Sequence, residues 1–214
     1  MSKNEKRRQK QLAHKRREQA RQAKRSNKPK IASQPGGFET TAPMIALAAD
    51  YPIHEALVPA GLFEKGIGNL FLTRALPDGR LALSAFLLDV FCLGVKNAFA
   101  AIVTREEYAQ RLSRWTPEES LQPTEPACLR KLVEGAVAYA RDLGFRPHED
   151  YAMACQIFGD VDSSACPTSF EYGSEGKPCY VSGPNETLAQ AKAIVNQLKR
   201  RLGEGNFDYF VTVG

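Results

Sequence analysis

The chain has 214 residues, 43% of them hydrophobic and 25% charged, with a formal net charge of +5. That composition fits one globular domain with an appendage, and no apolar run approaches the ~20 residues a membrane-spanning helix needs. The charge is unevenly placed: residues 1–30 hold 13 Lys/Arg and two Glu, a net of +11, which leaves a net of −6 on the other 184 residues.

The first 30 residues, MSKNEKRRQKQLAHKRREQARQAKRSNKPK, contain helix formers but almost nothing to bury. Alone they cannot offset the entropy of ordering, so they read as a disordered or fraying helical arm. No apolar stretch marks a secretory signal there, and Leu12 is the only large apolar residue before Ile31, so the apolar face of a mitochondrial presequence is missing too. Its cationic residues Lys6, Arg7, Arg8, Lys10, Lys15, Arg16, Arg17, Arg21, Lys24 and Arg25 are candidates for phosphate contacts. The arm has no aromatic residue to stack on bases, so binding through it should not read sequence. An anionic membrane surface is a poorer partner, because the arm lacks an apolar face. Residues 31–50 read as linker, followed by a single domain over 51–214.

The domain opens with YPIHEALV, in which His54 adjoins Glu55, and continues into NLFLTRALPDGRLALSAFLLDV. Asp78-Gly79 predicts a two-residue turn joining two strands, which sets Phe71 opposite Phe86, Thr73 opposite Ser84 and Asp89 opposite Gly68. The second strand is apolar on both faces and should be central. A turn at Lys96-Asn97 would lead into a third strand over 98–103. Helices then follow. Thr104 and Glu107 form a capping box, Thr116 and Glu119 a second, and residues 128–145 a long amphipathic helix stopped at Gly144. HEDYAMACQIFGD predicts another helix ending at Gly159. SFEYGSEGKPCYVSG reads as a second hairpin. Pro184 and Glu186 open a last long helix closed by Gly203, and NFDYFVTV forms a final strand. The expected class is α+β: an antiparallel sheet built from hairpins, packed with several helices.

Asp89 and Lys96 stand out inside the apolar stretch FLLDVFCLGVKNAF. Seven residues span ~23 Å in a strand and ~10.5 Å along a helix, so the two cannot pair directly along one continuous element. Asp89 reads either as a strand-end carboxylate bonded to backbone or as a ligand carboxylate beside the space left by Gly66 and Gly68. Asp160 and Asp162 follow the Gly159 stop and read as a capping turn or, with Asp89, as a Mg²⁺ site. His54 and Glu55 could join them in a metal-dependent hydrolase or nuclease. Apart from Mg²⁺ no cofactor is expected: three histidines and no paired CxxC argue against zinc. GPNET with Lys177 could hold an anion at a helix start, and Cys166 could act as a nucleophile only with His148 as its base.

The cysteines are Cys92, Cys128, Cys155, Cys166 and Cys179. The odd number and the apolar settings of Cys92 and Cys155 predict free thiols in a reducing cytoplasm.

The motifs YPIHEALVP, GIGNLFLTRALPDGR, FLLDVFCLGVKNAF, LGFRPHEDYAMACQIFGDVD and GKPCYVSGP resemble an uncharacterised family of bacterial proteins over roughly residues 51–185. The resemblance implies a bacterial cytoplasmic protein with one folded unit, and it carries over no functional residue. The function expected is a nucleic-acid-associated protein, bound to RNA or ribosomes through its arm. The alternatives are the metal-dependent hydrolase and a protein–protein adaptor whose arm engages an acidic partner.

Overall fold

A computed structural model describes residues 42–117 and 119–211. The class is α+β, with a five-stranded antiparallel sheet and helices on both of its faces. The first helix, α1 (Ala42–Ala48), lies in the segment expected to be linker. Its Ile45 and Ala48 are buried in the core, so the packed domain begins before residue 51.

The strands β1 (Ile53–Pro59), β2 (Ile67–Ala75), β3 (Leu81–Asp89) and β4 (Gly94–Val103) form a meander. A short helix, α2 (Leu62–Lys65), joins the first two. A three-residue strand, β5 (Leu121–Pro123), returns to the outer side of β1, giving the order β4-β3-β2-β1-β5. As its apolar sequence requires, β3 is central, with a strand on each side and nearly every residue buried.

The β2–β3 hairpin forms, but its register is one residue from the expected one. Phe71 faces Ala85, Leu70 faces Phe86, Thr73 faces Leu83 and Asp89 faces Ile67. The cause is the turn. The Gly79 N–H donates to the Leu76 carbonyl and the Leu76 N–H to the Arg80 carbonyl, so the loop holds three residues, Pro77-Asp78-Gly79. Pro77 fits the first central position of a type I turn, and Gly79 takes the left-handed position at φ +85°. A one-residue change moves side chains between faces. Phe86 therefore joins the cluster on one face with Leu70 and Leu72, while Phe71 joins Leu83 and Ala85 on the other.

The turn into β4 comes earlier than expected, over residues 90–93, and Lys96 lies within the strand. Leu87 faces Asn97 while Leu88 faces Val95, which leaves Lys96 as the extra residue of a β-bulge.

The first face of the sheet is covered by α1, by α4 (Pro126–Asp142) and by a turn of helix, α5 (Tyr151–Ala154), that runs into a 3-10 helix over Cys155–Phe158. The α4 helix buries Leu129, Leu132, Val133, Ala136, Val137 and Ala140 on one stripe. It approaches β4 so closely that a Cβ at Gly94 would lie 2.9 Å from both the Ala136 oxygen and the Ala140 Cβ. Its end is the expected Schellman stop, with Phe145 N–H on the Ala140 carbonyl and Gly144 N–H on the Arg141 carbonyl. The second face is covered by α3 (Arg105–Trp115), which begins with the predicted capping box: Thr104 Oγ1 accepts from Glu107 N–H and Glu107 accepts from Thr104 N–H.

Three expected elements differ. Thr116 ends α3, with its hydroxyl on the Leu112 carbonyl, instead of starting a helix. The last helix, α6 (Leu188–Leu202), starts at the Thr187–Gln190 capping box, not at Pro184, and ends at Gly203 as predicted. Ser174 and Lys177 bracket a tight turn, but no second hairpin follows. Instead β6 (Cys179–Val181) and β7 (Asp208–Phe210) run parallel, joined by α6 as a crossover. These elements enclose a third cluster around Cys92, Leu143, Tyr180, Leu198 and Phe207.

Candidate functional site

The carboxylates needed for a metal site do not come together. Asp160 lies beside Arg74, which faces Ala82 near the start of β3, whereas Asp89 ends that strand seven residues later, ~23 Å along it. Glu55 faces Thr73 on the other face of the sheet, where it adjoins the Tyr108 phenol, whose ionisation burial suppresses. His54 is exposed, with Nε2 3.3 Å from Arg105 Nη1. Asp162 is exposed and caps the 3-10 helix Ser163–Ala165 through Ser164, whose hydrogen bonds hold its carboxyl below the usual value. Among the described residues, no group of three or more His, Cys, Asp or Glu side chains is arranged to hold a metal ion.

Asp89 is a turn residue. It is buried, and its Oδ1 accepts from the Phe91 and Cys92 N–H groups at 3.0 and 2.9 Å. Burial raises its pKa; the turn N–H groups and Lys96 act against that. The space expected beside it is filled. A Cβ at Gly66 would collide with the Phe91 ring, and one at Gly68 would meet Pro59 and Leu62.

Lys96 has a partner that spacing along the strand does not show. The bulge sends its Nζ to Glu186 Oε1 at 2.6 Å, and the Tyr180 hydroxyl donates to Glu186 Oε2. Both members of the ion pair are largely buried, with side-chain exposures of 16% and 18%. Burial alone would raise the Glu186 carboxyl, but hydrogen bonds from Lys96 and Tyr180 outweigh it and hold the pKa below the usual value. Glu186 belongs to the GPNET segment, and its contact with Lys96 ties the approach to α6 onto the sheet.

Arg74 is the second buried cation. It is 4% exposed and donates from Nε to the Ile157 carbonyl at 2.7 Å, from Nη1 to Tyr51 at 2.6 Å and from Nη2 to Phe158 at 2.9 Å. Burial lowers its pKa, opposed by Asp160 and Asp50.

The cysteines correct the expectation of free thiols. Cys128 and Cys166 form a disulfide across 38 residues of sequence, with Cα atoms 4.9 Å apart. The pairing arises because the segment after the Gly159 stop folds back on the start of α4. Cys166 is therefore not a free nucleophile, and His148 accepts instead from the Asp150 N–H. Cys92, Cys155 and Cys179 remain free thiols.

The ten cationic arm residues, from Lys6 to Arg25, lie outside the described residues. No helix among the described residues is long and apolar enough to cross a membrane. Comparisons with protein-family models, with curated proteins and with solved structures found no match.

Proposed function

We propose that this chain is a nucleic-acid-associated protein of the bacterial cytoplasm, bound to RNA or ribosomes through residues 1–30 without regard to base sequence. The observation that carries the reading is the charge partition. A net of +11 sits on 30 residues, and the remaining 184 carry −6. A dense cationic segment gains affinity by releasing the counterions condensed on phosphates. An acidic body repels phosphate and cannot supply that affinity itself. The lack of aromatic residues in the arm assigns it to backbone contact, not base readout.

The test is a salt titration of the full chain, and of a chain beginning at Thr40, against one single-stranded RNA. With about six phosphate contacts the log–log salt slope is about −4, from ~0.7 per contact. RNAs of equal length and different sequence should bind alike, and the shortened chain should bind far more weakly. Equal binding by the shortened chain would move the interface to the folded domain. No binding by either chain at low salt would refute the reading in favour of an acidic protein partner.

A further inference from the structure

The two sulfurs of the Cys128–Cys166 bond differ in their access to solution. Cys128 is half-buried in the first turn of α4, whereas Cys166 is 2% exposed. The free thiols are poorly placed to react. Cys92 and Cys179 are buried, and burial raises both thiols; Cys155 is pushed up to about 11, chiefly by burial. A thiol held neutral is neither a good nucleophile nor easily oxidised.

The segment bearing Cys166 is also anchored without the bond. Arg130 Nη1 donates to the Gly159 and Val161 carbonyls at 3.1 and 2.7 Å. Lys131 Nζ donates to the Cys166 carbonyl at 2.9 Å, and the Tyr172 hydroxyl to the Leu132 carbonyl at 3.0 Å. Every cation and carbonyl in that set except those of the loop belongs to α4. With these contacts in place, cutting the disulfide leaves the two sulfurs as neighbours, and closing it again requires no search by the chain.

We propose that Cys128–Cys166 is a reversible thiol–disulfide couple that exchanges with low-molecular-weight thiols such as glutathione, with Cys128 as the sulfur that carries the mixed disulfide. An incoming thiolate attacks Cys128 Sγ, the S–S bond breaks, and Cys166 leaves as a thiolate that takes up a proton from water. A second small thiolate attacks the sulfur of the bound one, forming the small disulfide and releasing Cys128, whose thiolate is favoured at the helix N-terminus. Overall, two small thiols and the protein disulfide give one small disulfide and the protein dithiol, a two-electron transfer that runs backwards when oxidised glutathione is in excess. The couple is independent of polyanion binding by the arm.

The experiment equilibrates the full native chain in glutathione buffers of graded ratio, quenches it with acid, alkylates it and locates the labels by mass spectrometry. Cys128 and Cys166 should convert together and reversibly, with the folded signal in circular dichroism retained and the labelling of the free thiols Cys92, Cys155 and Cys179 the same at every glutathione ratio. In Cys166→Ser the mass of one glutathione should appear on Cys128; in Cys128→Ser none should appear on Cys166. A bond that resists reduction until the protein unfolds, or a dithiol that does not re-form it, would overturn the proposal. An adduct on Cys166 equal to that on Cys128 would overturn the assigned order of attack. The wild-type titration decides reversibility even where a variant fails to fold.

Discussion

Arg74 and Lys96 lie towards opposite ends of the sheet, and each is a cation largely removed from water. Arg74 sits on β2 in regular register with β3, opposite a bulge in β1, and spends its guanidinium on three backbone carbonyls, one from the loop before β1 and two from the 3-10 helix. Lys96 occupies a bulge on β4 and spends its ammonium on a carboxylate brought from the approach to α6. The rigid fork of an arginine suits several fixed acceptors, and the point charge of a lysine suits one counterion. The difference separates two ways of holding a buried charge. At Arg74 the acceptors are neutral and do not titrate. At Lys96 the partner is an acid, and the contact depends on pH.

The largest effect is expected at Arg74. Arg74→Met removes three charge-assisted bonds and leaves buried carbonyls without donors, a loss of about 4 kcal/mol or more at ~1.5–3 kcal/mol per bond. Chemical denaturation of the variant measures it; a loss under about 1 kcal/mol would mean that water replaces the guanidinium. Lys96→Met strands Glu186 in a site that is not fully closed, and should cost about 2–3 kcal/mol, below the 3–5 typical of a sealed pair. The double variant Lys96→Met/Glu186→Leu should recover part of that loss, and a double variant no better than the single one would deny the pairing its energy.

Gly79→Val tests the sheet where no buried charge is involved. Nothing lies within 4 Å of a Cβ at Gly79, so the cost is the left-handed backbone alone, about 1–2 kcal/mol. An unchanged melting temperature would contradict the three-residue turn.

The smallest effect is in the pH dependence, and it distinguishes the two cations. Glu186 has a lowered pKa in the folded chain. Its contribution is present above the ordinary carboxylate value and is lost as pH falls through the lowered one. The stability gap between wild type and Lys96→Met should therefore narrow on acidification, because protonation also relieves the unpaired acid of the variant. The gap for Arg74→Met should narrow less over the same range, because its hydrogen-bond acceptors are carbonyls and only the attraction of Asp160 and Asp50 titrates. Parallel melting curves at pH 7 and at acid pH compare the two.

Elements specified by neighbouring residues were legible in the sequence. Thr104 with Glu107 marked the start of α3, Gly144 the end of α4, Gly203 the end of α6, and Asp78-Gly79 a hairpin. What failed depended on one extra residue or on distant partners. The dipeptide does not tell a two-residue turn from the Pro77-Asp78-Gly79 loop, and the whole register of β3 followed from that choice. A bulge at Lys96 has no local signature. Thr116 caps a helix end by bonding backward to Leu112, and its composition reads equally as a helix start. The pairing of β6 with β7 involves three residues on each strand and a partner beyond α6. Among the candidate site residues, Asp89 was legible as a strand-end acceptor. His54, Glu55, Asp160 and Asp162 were grouped only by residue type, which says nothing of position. The Cys128–Cys166 pair lies across an intervening helix and loop, where no spacing rule reaches.

The strand order β4-β3-β2-β1 has a consequence for the growing chain. Each of these strands pairs with the one made just before it, so the meander can assemble as residues 53–103 leave the ribosome, by short-range closures that are fast. The C-terminal unit is built the other way. β6 has no ladder until β7 has been made, after the whole of α6, and during that interval Cys179, Tyr180 and the Lys96–Glu186 contact await the last part of their enclosure. Synthesis therefore closes the parallel pair last, and a pause between residues 181 and 208 would hold a finished sheet beside an open third core.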